Sequence, residues 1–145
     1  MIAAVLVVAF AVQTVTPAPP QWMPPPQAGA ASLEGEWNVE AVDNIKVMPD
    51  SRVTMKFQGT RVSGLASCNT YSGTYTLDGT ALQTGSILST MKACSSELMS
   101  QERDFLQLLR NTARFDVQGG GGTLVLTTAT GKVLTARRFT SPGPR

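Results

Sequence analysis

The chain of 145 residues carries a formal net charge of +2, with no histidine and two cysteines. Its length leaves room for one ordinary domain. Its cationic residues are scattered along the sequence, whereas a nucleic-acid reader concentrates them on one face. Without histidine the chain lacks the commonest general base and metal ligand, and two cysteines alone do not complete a structural zinc site. We therefore predict no nucleic-acid partner, no metal site and no cofactor.

Residues 1–32 differ in composition from the rest of the chain. Residues 1–12 form an unbroken apolar run that is shorter than a membrane span and matches the core of a signal peptide. A buried strand is the alternative, because no Lys or Arg opens the run. Residues 17–27 contain six prolines, which predict an extended linker. Small residues at 28–30 and at 9–11 offer cleavage sites.

These N-terminal features predict an exported protein, periplasmic or secreted. No cysteine precedes Cys68, so the sequence offers no lipid-attachment site near the leader. We therefore expect a soluble mature form without a stable membrane span.

Alternation of apolar and polar residues with a period of two recurs from residue 36 onward, which is typical of half-buried strands. The predicted strands cover residues 36–41, 52–57, 61–66, 71–77, 80–88, 114–117, 123–127 and 132–138. Asp78-Gly79 predicts a tight hairpin with positive φ at both turn positions. Gly119–Gly122 predicts a flexible hairpin tip. No helix separates most of the strands, so the pattern favours an antiparallel sheet.

One segment has the period of a helix instead. Between residues 96 and 111 apolar residues recur at helical spacing, and Ser95 or Ser96 can cap the start. The apolar positions are Leu98, Phe105, Leu106 and Leu109. We predict a mainly β (α+β) domain over residues 33–138, followed by a tail at 139–145. It should be a closed antiparallel barrel of roughly seven to nine short strands with one amphipathic helix, because closure removes sheet edges.

Cys68 and Cys94 are predicted to pair as a structural disulfide, since two cysteines in an oxidising compartment usually pair. Such a bond would tie the end of a strand to the start of the helix. A reactive thiol is the alternative. It needs a base or a strong cation beside it, and the nearest cation in sequence is Lys92.

Three polar or aromatic residues near these cysteines have two interpretations each. Asn69 suits a tight turn, because Asn tolerates left-handed backbone and bonds its own chain; a ligand-binding amide is the alternative. Tyr71 and Tyr75 lie on one face of a predicted strand. They favour core packing, with a stacking platform for a sugar or peptide as the alternative.

The predicted helix carries Glu97, Glu102 and Asp104. A catalytic carboxylate pair is one interpretation, and solvated charge on a surface helix is the other. Nothing in the sequence indicates a cleft or a raised pKa at these positions, so we predict solvated charge and no enzymatic activity.

Four short motifs resemble those of the META domain family of HslJ-like heat-shock proteins. The matching residues are Gly35 and Trp37; Gly64, Cys68, Asn69, Tyr71, Gly73 and Tyr75; Thr90, Ala93 and Cys94; and Glu102, Phe105 and Leu109. Ser67 stands where the family pattern has glycine, and Lys92 stands where it has methionine. The likeness spans about residues 33–138.

The resemblance implies a lipocalin-like antiparallel barrel with one helix, found in envelope or secreted proteins that are linked to stress and to novobiocin tolerance. It implies no catalytic residues. We therefore expect a non-enzymatic domain that binds a small apolar ligand at the barrel mouth or contacts an envelope protein. The alternative is a barrel-type protease inhibitor that inserts the proline-rich arm at residues 17–27 into an active site.

Overall fold

Nine β-strands and one long helix make up residues 33–140, the part of the chain that the computed structural model describes. The strands are β1 (Gly35–Val42), β2 (Ile45–Lys46), β3 (Thr54–Gln58), β4 (Arg61–Leu65), β5 (Thr70–Asp78), β6 (Ala81–Ser89), β7 (Thr112–Gln118), β8 (Thr123–Thr128) and β9 (Val133–Arg138). Helix α1 (Ser96–Arg110) connects β6 to β7. The predicted leader and linker at 1–32, and residues 141–145 of the predicted tail, lie outside the described residues.

All strand pairings are antiparallel, and the sheet closes on itself. Neighbouring strands pair in the order β1-β3-β4-β5-β6-β7-β8-β9, and β9 pairs back onto β1 along Trp37–Val42. Eight strands therefore form a closed barrel, and the two-residue β2 extends one side of β1. The contact between β6 and β7 is narrow, with Ala81 opposite Arg114. The predicted antiparallel barrel with one helix is confirmed.

The inward-facing residues of the strands form one core. Along β5 the buried positions are Tyr71, Gly73 and Tyr75, while Thr74 and Thr76 point outward, as the period of two predicts. The Tyr75 ring packs edge-on against Phe57, with ring centroids 5.1 Å apart.

Helix α1 covers one end of the barrel. Its N-cap is Ser95, whose side chain accepts a hydrogen bond from the Leu98 amide, and Asn111 caps its C-terminus. The Phe105 ring enters the core and packs against Tyr71 at 5.4 Å between centroids. The predicted helix is confirmed: Phe105, Leu106 and Leu109 are buried, Leu108 is buried as well, and Leu98 is half-buried.

The β5–β6 hairpin corrects one turn prediction. Asp78 pairs with Ala81, so the two turn positions are Gly79 and Thr80, not Asp78 and Gly79. Gly79 has φ of +60°, whereas Asp78 and Thr80 keep negative φ. The turn therefore needs left-handed backbone only at its glycine.

The hairpin between β1 and β2 was not predicted from the sequence. Asp43 and Asn44 have φ of 50° and 64°, and they turn β1 into β2. Asp and Asn tolerate this conformation better than most residues, which makes such a turn possible without glycine. The predicted hairpin tip at 119–122 connects β7 to β8, and Gly119–Gly121 form a short 3-10 helix there.

Candidate functional site

The two cysteines form a disulfide bond between the loop after β4 and the segment before α1. The Cys68 and Cys94 sulfur atoms are 2.01 Å apart and the Cα atoms 6.1 Å apart. Cys68 is half-buried and Cys94 is exposed. The predicted structural bridge is confirmed, and it ties the start of the helix to the loop between β4 and β5.

A buried carboxylate reinforces this tie. Glu102 of α1 is 5% exposed, and it accepts hydrogen bonds from the backbone amides of Cys68 (3.1 Å) and Asn69 (2.7 Å). The Asn69 side-chain amide donates to the other Glu102 oxygen at 2.8 Å. The prediction that Glu102 is a solvated surface charge was therefore wrong. Its partners are loop amides that the helical period does not reveal.

Asn69 lies at the centre of the network, 1% exposed. Its Oδ1 accepts from Thr90 Oγ1 (2.9 Å) and from the Lys92 amide (2.7 Å), and its Nδ2 also donates to the Lys92 carbonyl (3.2 Å). Each polar atom of the side chain is thus bonded inside the protein, which leaves no amide free for a ligand. Because only backbone atoms of Lys92 take part, a lysine replaces the family's methionine there without loss.

The strained residue of this loop is Ser67, not Asn69. Ser67 has φ of 106°, a left-handed conformation that favours glycine and explains the glycine of the family pattern. Its hydroxyl lies 3.0 Å from the Ser51 hydroxyl and accepts from the Gln101 side chain at 3.0 Å. Gln101 also accepts from the Met48 amide at 2.8 Å. Gln101 and Glu102 thus hold the loop before β3 and the loop between β4 and β5. The role of Gln101 was not predicted from the sequence.

The motif glycines allow close packing of strands. A Cβ atom at Gly64 would collide with the Thr54 backbone carbonyl, which accepts a hydrogen bond from the Tyr71 hydroxyl at 2.9 Å. A Cβ at Gly73 would lie 2.8 Å from the Ile87 side chain. These glycines therefore position the β3, β4, β5 and β6 backbones rather than a ligand.

Tyr71 and Tyr75 are each 3% exposed, so neither ring is a surface stacking platform. Burial raises the pKa of Tyr71. Burial, and then the nearby Glu34 carboxylate, raises the pKa of Tyr75, whose hydroxyl has no hydrogen-bond partner among the described residues. At the exposed start of α1, hydrogen bonds from the Glu97 amide and from Ser96 and Ser95 lower the pKa of Glu97.

The remaining motif residues complete the same arrangement. Phe105 and Leu109 are fully buried, and Ala93 is an exposed residue beside Cys94. We refer to Cys68, Asn69, Thr90, Cys94 and Glu102 as the motif clasp. Asn69 and Glu102 are its buried centre, and their polar atoms bond to the other members of the clasp and to nearby backbone groups. Among residues 33–140, no cluster of three or more Asp, Glu and Cys side chains could hold a metal ion.

A cleft of about 420 Å³ opens at the helix-covered end of the barrel. We call it the end cleft. Three separate elements form it: the β1–β2 hairpin, the last two turns of α1 and the β8–β9 turn. The residues that line the end cleft include Asp43, Ile45, Asp104, Leu108, Asn111 and Lys132.

An eight-stranded antiparallel barrel covered by one helix, with a disulfide clasp between helix and loop, defines a class of small barrel domain. The family model of the META domain matches residues 31–140. The chain belongs to the META domain family, as the sequence motifs indicated.

Solved structures agree with this fold. The chain is similar to a protein from Burkholderia xenovorans solved by NMR, with a TM-score of 0.66 and 23% identity, covering 90% of this chain and 97% of that one. A second NMR structure gives a TM-score of 0.59 and 22% identity, covering 73% of this chain and 90% of the other. A comparison with curated proteins gave no significant match. Within the described range, no helix combines the length and apolar character needed to span a bilayer.

Proposed function

We propose that this protein is a non-enzymatic binding domain of the META family that works outside the cytoplasm, in the periplasm or as a secreted protein. Its role is to bind a small ligand or an envelope protein under stress. The observation that carries the proposal is the motif clasp, in which the residues that define the family form a structural joint.

The position of the disulfide supports export. Cys94 is exposed, so a cytosolic reductant would reach the bond. Cytosolic glutathione and thioredoxin keep such thiols reduced, whereas the periplasm and the extracellular medium allow them to remain paired. The apolar run at residues 1–12 supports the same compartment.

The bonding state of the motif residues supports binding rather than catalysis. A catalytic group needs an open face toward its substrate. Glu102 and Asn69 are buried and fully engaged with backbone and side-chain partners. The motif clasp therefore stabilises the barrel and the helix. A ligand or partner would bind on the outer surface of the domain.

Two kinds of surface are available for recognition. The end cleft is large enough for a small molecule, since ligand pockets begin near 300 Å³. Leu65, Leu88 and Met91 are exposed apolar side chains on β4, on β6 and just after β6, and they favour contact with a protein. Met91 is 96% exposed.

Native mass spectrometry of the protein purified from its source tests the binding function. We expect a stoichiometric adduct, either a small molecule or a second protein, that is lost on unfolding in acid. A bare chain under all gentle conditions would contradict the proposal. A substrate turnover that disappears in Cys68→Ser, while the variant stays folded, would contradict the non-enzymatic part.

A further inference from the structure

The end cleft combines an apolar floor with a polar rim. Leu108 of α1 and Val42 of β1 are 3% and 5% exposed and form part of the floor. Ile45 stands at the edge, 70% exposed, on the two-residue strand β2. An aliphatic group that enters the cleft would therefore be in contact with aliphatic side chains on two sides.

The charges on the rim do not cancel. Lys132 forms an ion pair with Asp43, with 3.0 Å between Nζ and Oδ2. The second carboxylate, Asp104, has no ion pair among the described residues. The lining residues thus include two carboxylates and one ammonium, Lys132, which leaves one net negative charge.

The helix adds to this negative potential. The cleft lies against the C-terminal half of α1, and the negative end of a helix dipole favours cations. Asp104, Gln107, Leu108 and Asn111 are spaced for one face of the helix, and that face lines the cleft. The Asn111 Nδ2 donates to the Gln107 carbonyl at 2.7 Å, so its Oδ1 remains an acceptor. Arg110, the basic residue of the last turn, is not part of the lining.

We propose that the end cleft binds a small organic cation with an aliphatic body, such as a primary alkylamine. The ammonium group lies beside Asp104 and Asn111, and the alkyl chain packs against Leu108 and Ile45. This inference rests on the proposed binding function and names the ligand class for one surface. The cleft volume of about 420 Å³ suits a small molecule better than a protein segment.

Three probes of equal length separate charge from apolar contact: hexylammonium, hexanol and hexanoate. Each is titrated into ¹⁵N-labelled protein and followed by amide chemical shifts. We expect the shifts to cluster at Asn111, Ala129 and Thr130, with hexylammonium binding about fivefold more tightly than hexanol. Hexanoate should bind most weakly.

Asp104→Asn is the main variant, because the exposed Asp104 side chain forms no hydrogen bond or ion pair within residues 33–140. This substitution should weaken the binding of hexylammonium about fivefold and leave the affinity for hexanol unchanged. Asp116→Asn is the matched control. It removes an exposed carboxylate of β7 outside the cleft and should change neither affinity. Ile45→Ser should weaken the binding of hexylammonium and of hexanol to the same extent.

Several results would overturn the proposal. They are equal affinities for the three probes, equal effects of Asp104→Asn and Asp116→Asn, or no cleft shifts with any probe. If a short lysine peptide binds more tightly than hexylammonium, the ligand of the end cleft is a protein rather than a small molecule. Shifts confined to Leu65, Leu88 and Met91 would overturn the cleft and leave the binding function intact, because native mass spectrometry tests that function separately.

Discussion

Asn69 and Glu102 are 33 residues apart in the sequence, and two hydrogen bonds join them directly. The Asn69 backbone amide donates to one carboxylate oxygen at 2.7 Å, and its side-chain amide donates to the other at 2.8 Å. This pair fixes helix α1 on the loop before β5 independently of the disulfide bond beside it.

Replacing Glu102 should therefore cost much of the domain's stability. Glu102→Ala leaves the half-buried Cys68 amide and the buried Asn69 amide without an acceptor, and we expect a loss of about 3 kcal/mol in the free energy of unfolding. Glu102→Gln keeps one oxygen but turns an amide group toward the Asn69 amide, so we expect about 1.5 kcal/mol. Urea unfolding measures both.

Arg103→Ala is the control for these variants. Arg103 is the exposed neighbour of Glu102, and in the described part of the chain its side chain donates one hydrogen bond, to the Ser100 hydroxyl at 3.3 Å. The control should change stability by less than about 0.5 kcal/mol. Equal losses for Glu102→Ala and Arg103→Ala would show that the carboxylate does not anchor the loop.

The left-handed backbone of Ser67 predicts an order of stability between two substitutions. Ser67→Gly loses the hydroxyl contacts to Ser51 and Gln101 but relieves strain of about 1 kcal/mol or more. Ser67→Ala loses the same contacts and keeps the strain. Thermal unfolding should rank the glycine variant above the alanine variant by about 1 to 2 kcal/mol. The reverse order would mean that Ser67 is not strained.

The disulfide should stabilise the folded domain by restricting the conformations of the unfolded chain. Cys68 and Cys94 enclose a sequence separation of 26 residues, for which the chain-entropy relation gives about 3.5 kcal/mol. The double variant Cys68→Ser with Cys94→Ser should lose about that much and remain folded, because Glu102 still holds the loop. Combining it with Glu102→Ala should unfold the domain, as measured by circular dichroism at 25 °C. A folded triple variant would show that other contacts hold the helix.

The two tyrosines predict an alkaline transition. Burial raises the pKa of Tyr71, and burial together with Glu34 raises that of Tyr75, so both folded-state values lie above the ordinary value of about 10. Above that pH the unfolded chain loses protons that the folded chain retains. The tyrosine contribution to stability should thus be complete below about pH 10 and decrease as the pH rises beyond it.

Tyr71→Phe provides the comparison. It removes the hydroxyl donor to Thr54 and should cost about 1 kcal/mol at neutral pH. The difference from the parent protein should become smaller as the pH rises above 10, since the variant has lost one of the two titrating tyrosines. Tyrosinate absorbance should appear only as the protein unfolds. A tyrosine that titrates normally in the folded protein would contradict this assignment.

The strands and the helix could be predicted because their signals are local. The alternation of Tyr71, Gly73 and Tyr75 gives the inner face of β5, and Ser95 followed by helical spacing gives the start of α1. The Cys68–Cys94 pair followed from the presence of two cysteines together with the leader-like N-terminus, which indicated an oxidising compartment. Periodicity also identified Phe105 and Leu109 as core residues.

The polar contacts could not be predicted, because they depend on residues far apart in the chain. A helical wheel places Glu102 on the apolar face with Leu98, Phe105 and Leu109, which indicates burial, but only the folded barrel brings the Cys68 and Asn69 amides to it. The β5–β6 turn moved by one residue because strand register, rather than the Asp-Gly pair alone, decides which positions turn.

We propose that this family motif works as an oxidised clasp in a protein that has left the cytosol. Intact mass spectrometry of the protein recovered from its native host, alkylated before and after reduction, tests it most directly. We predict a chain that lacks its N-terminal apolar run, takes up no alkyl group before reduction and takes up two afterwards. A full-length chain whose two thiols are both alkylated without reduction would contradict the account.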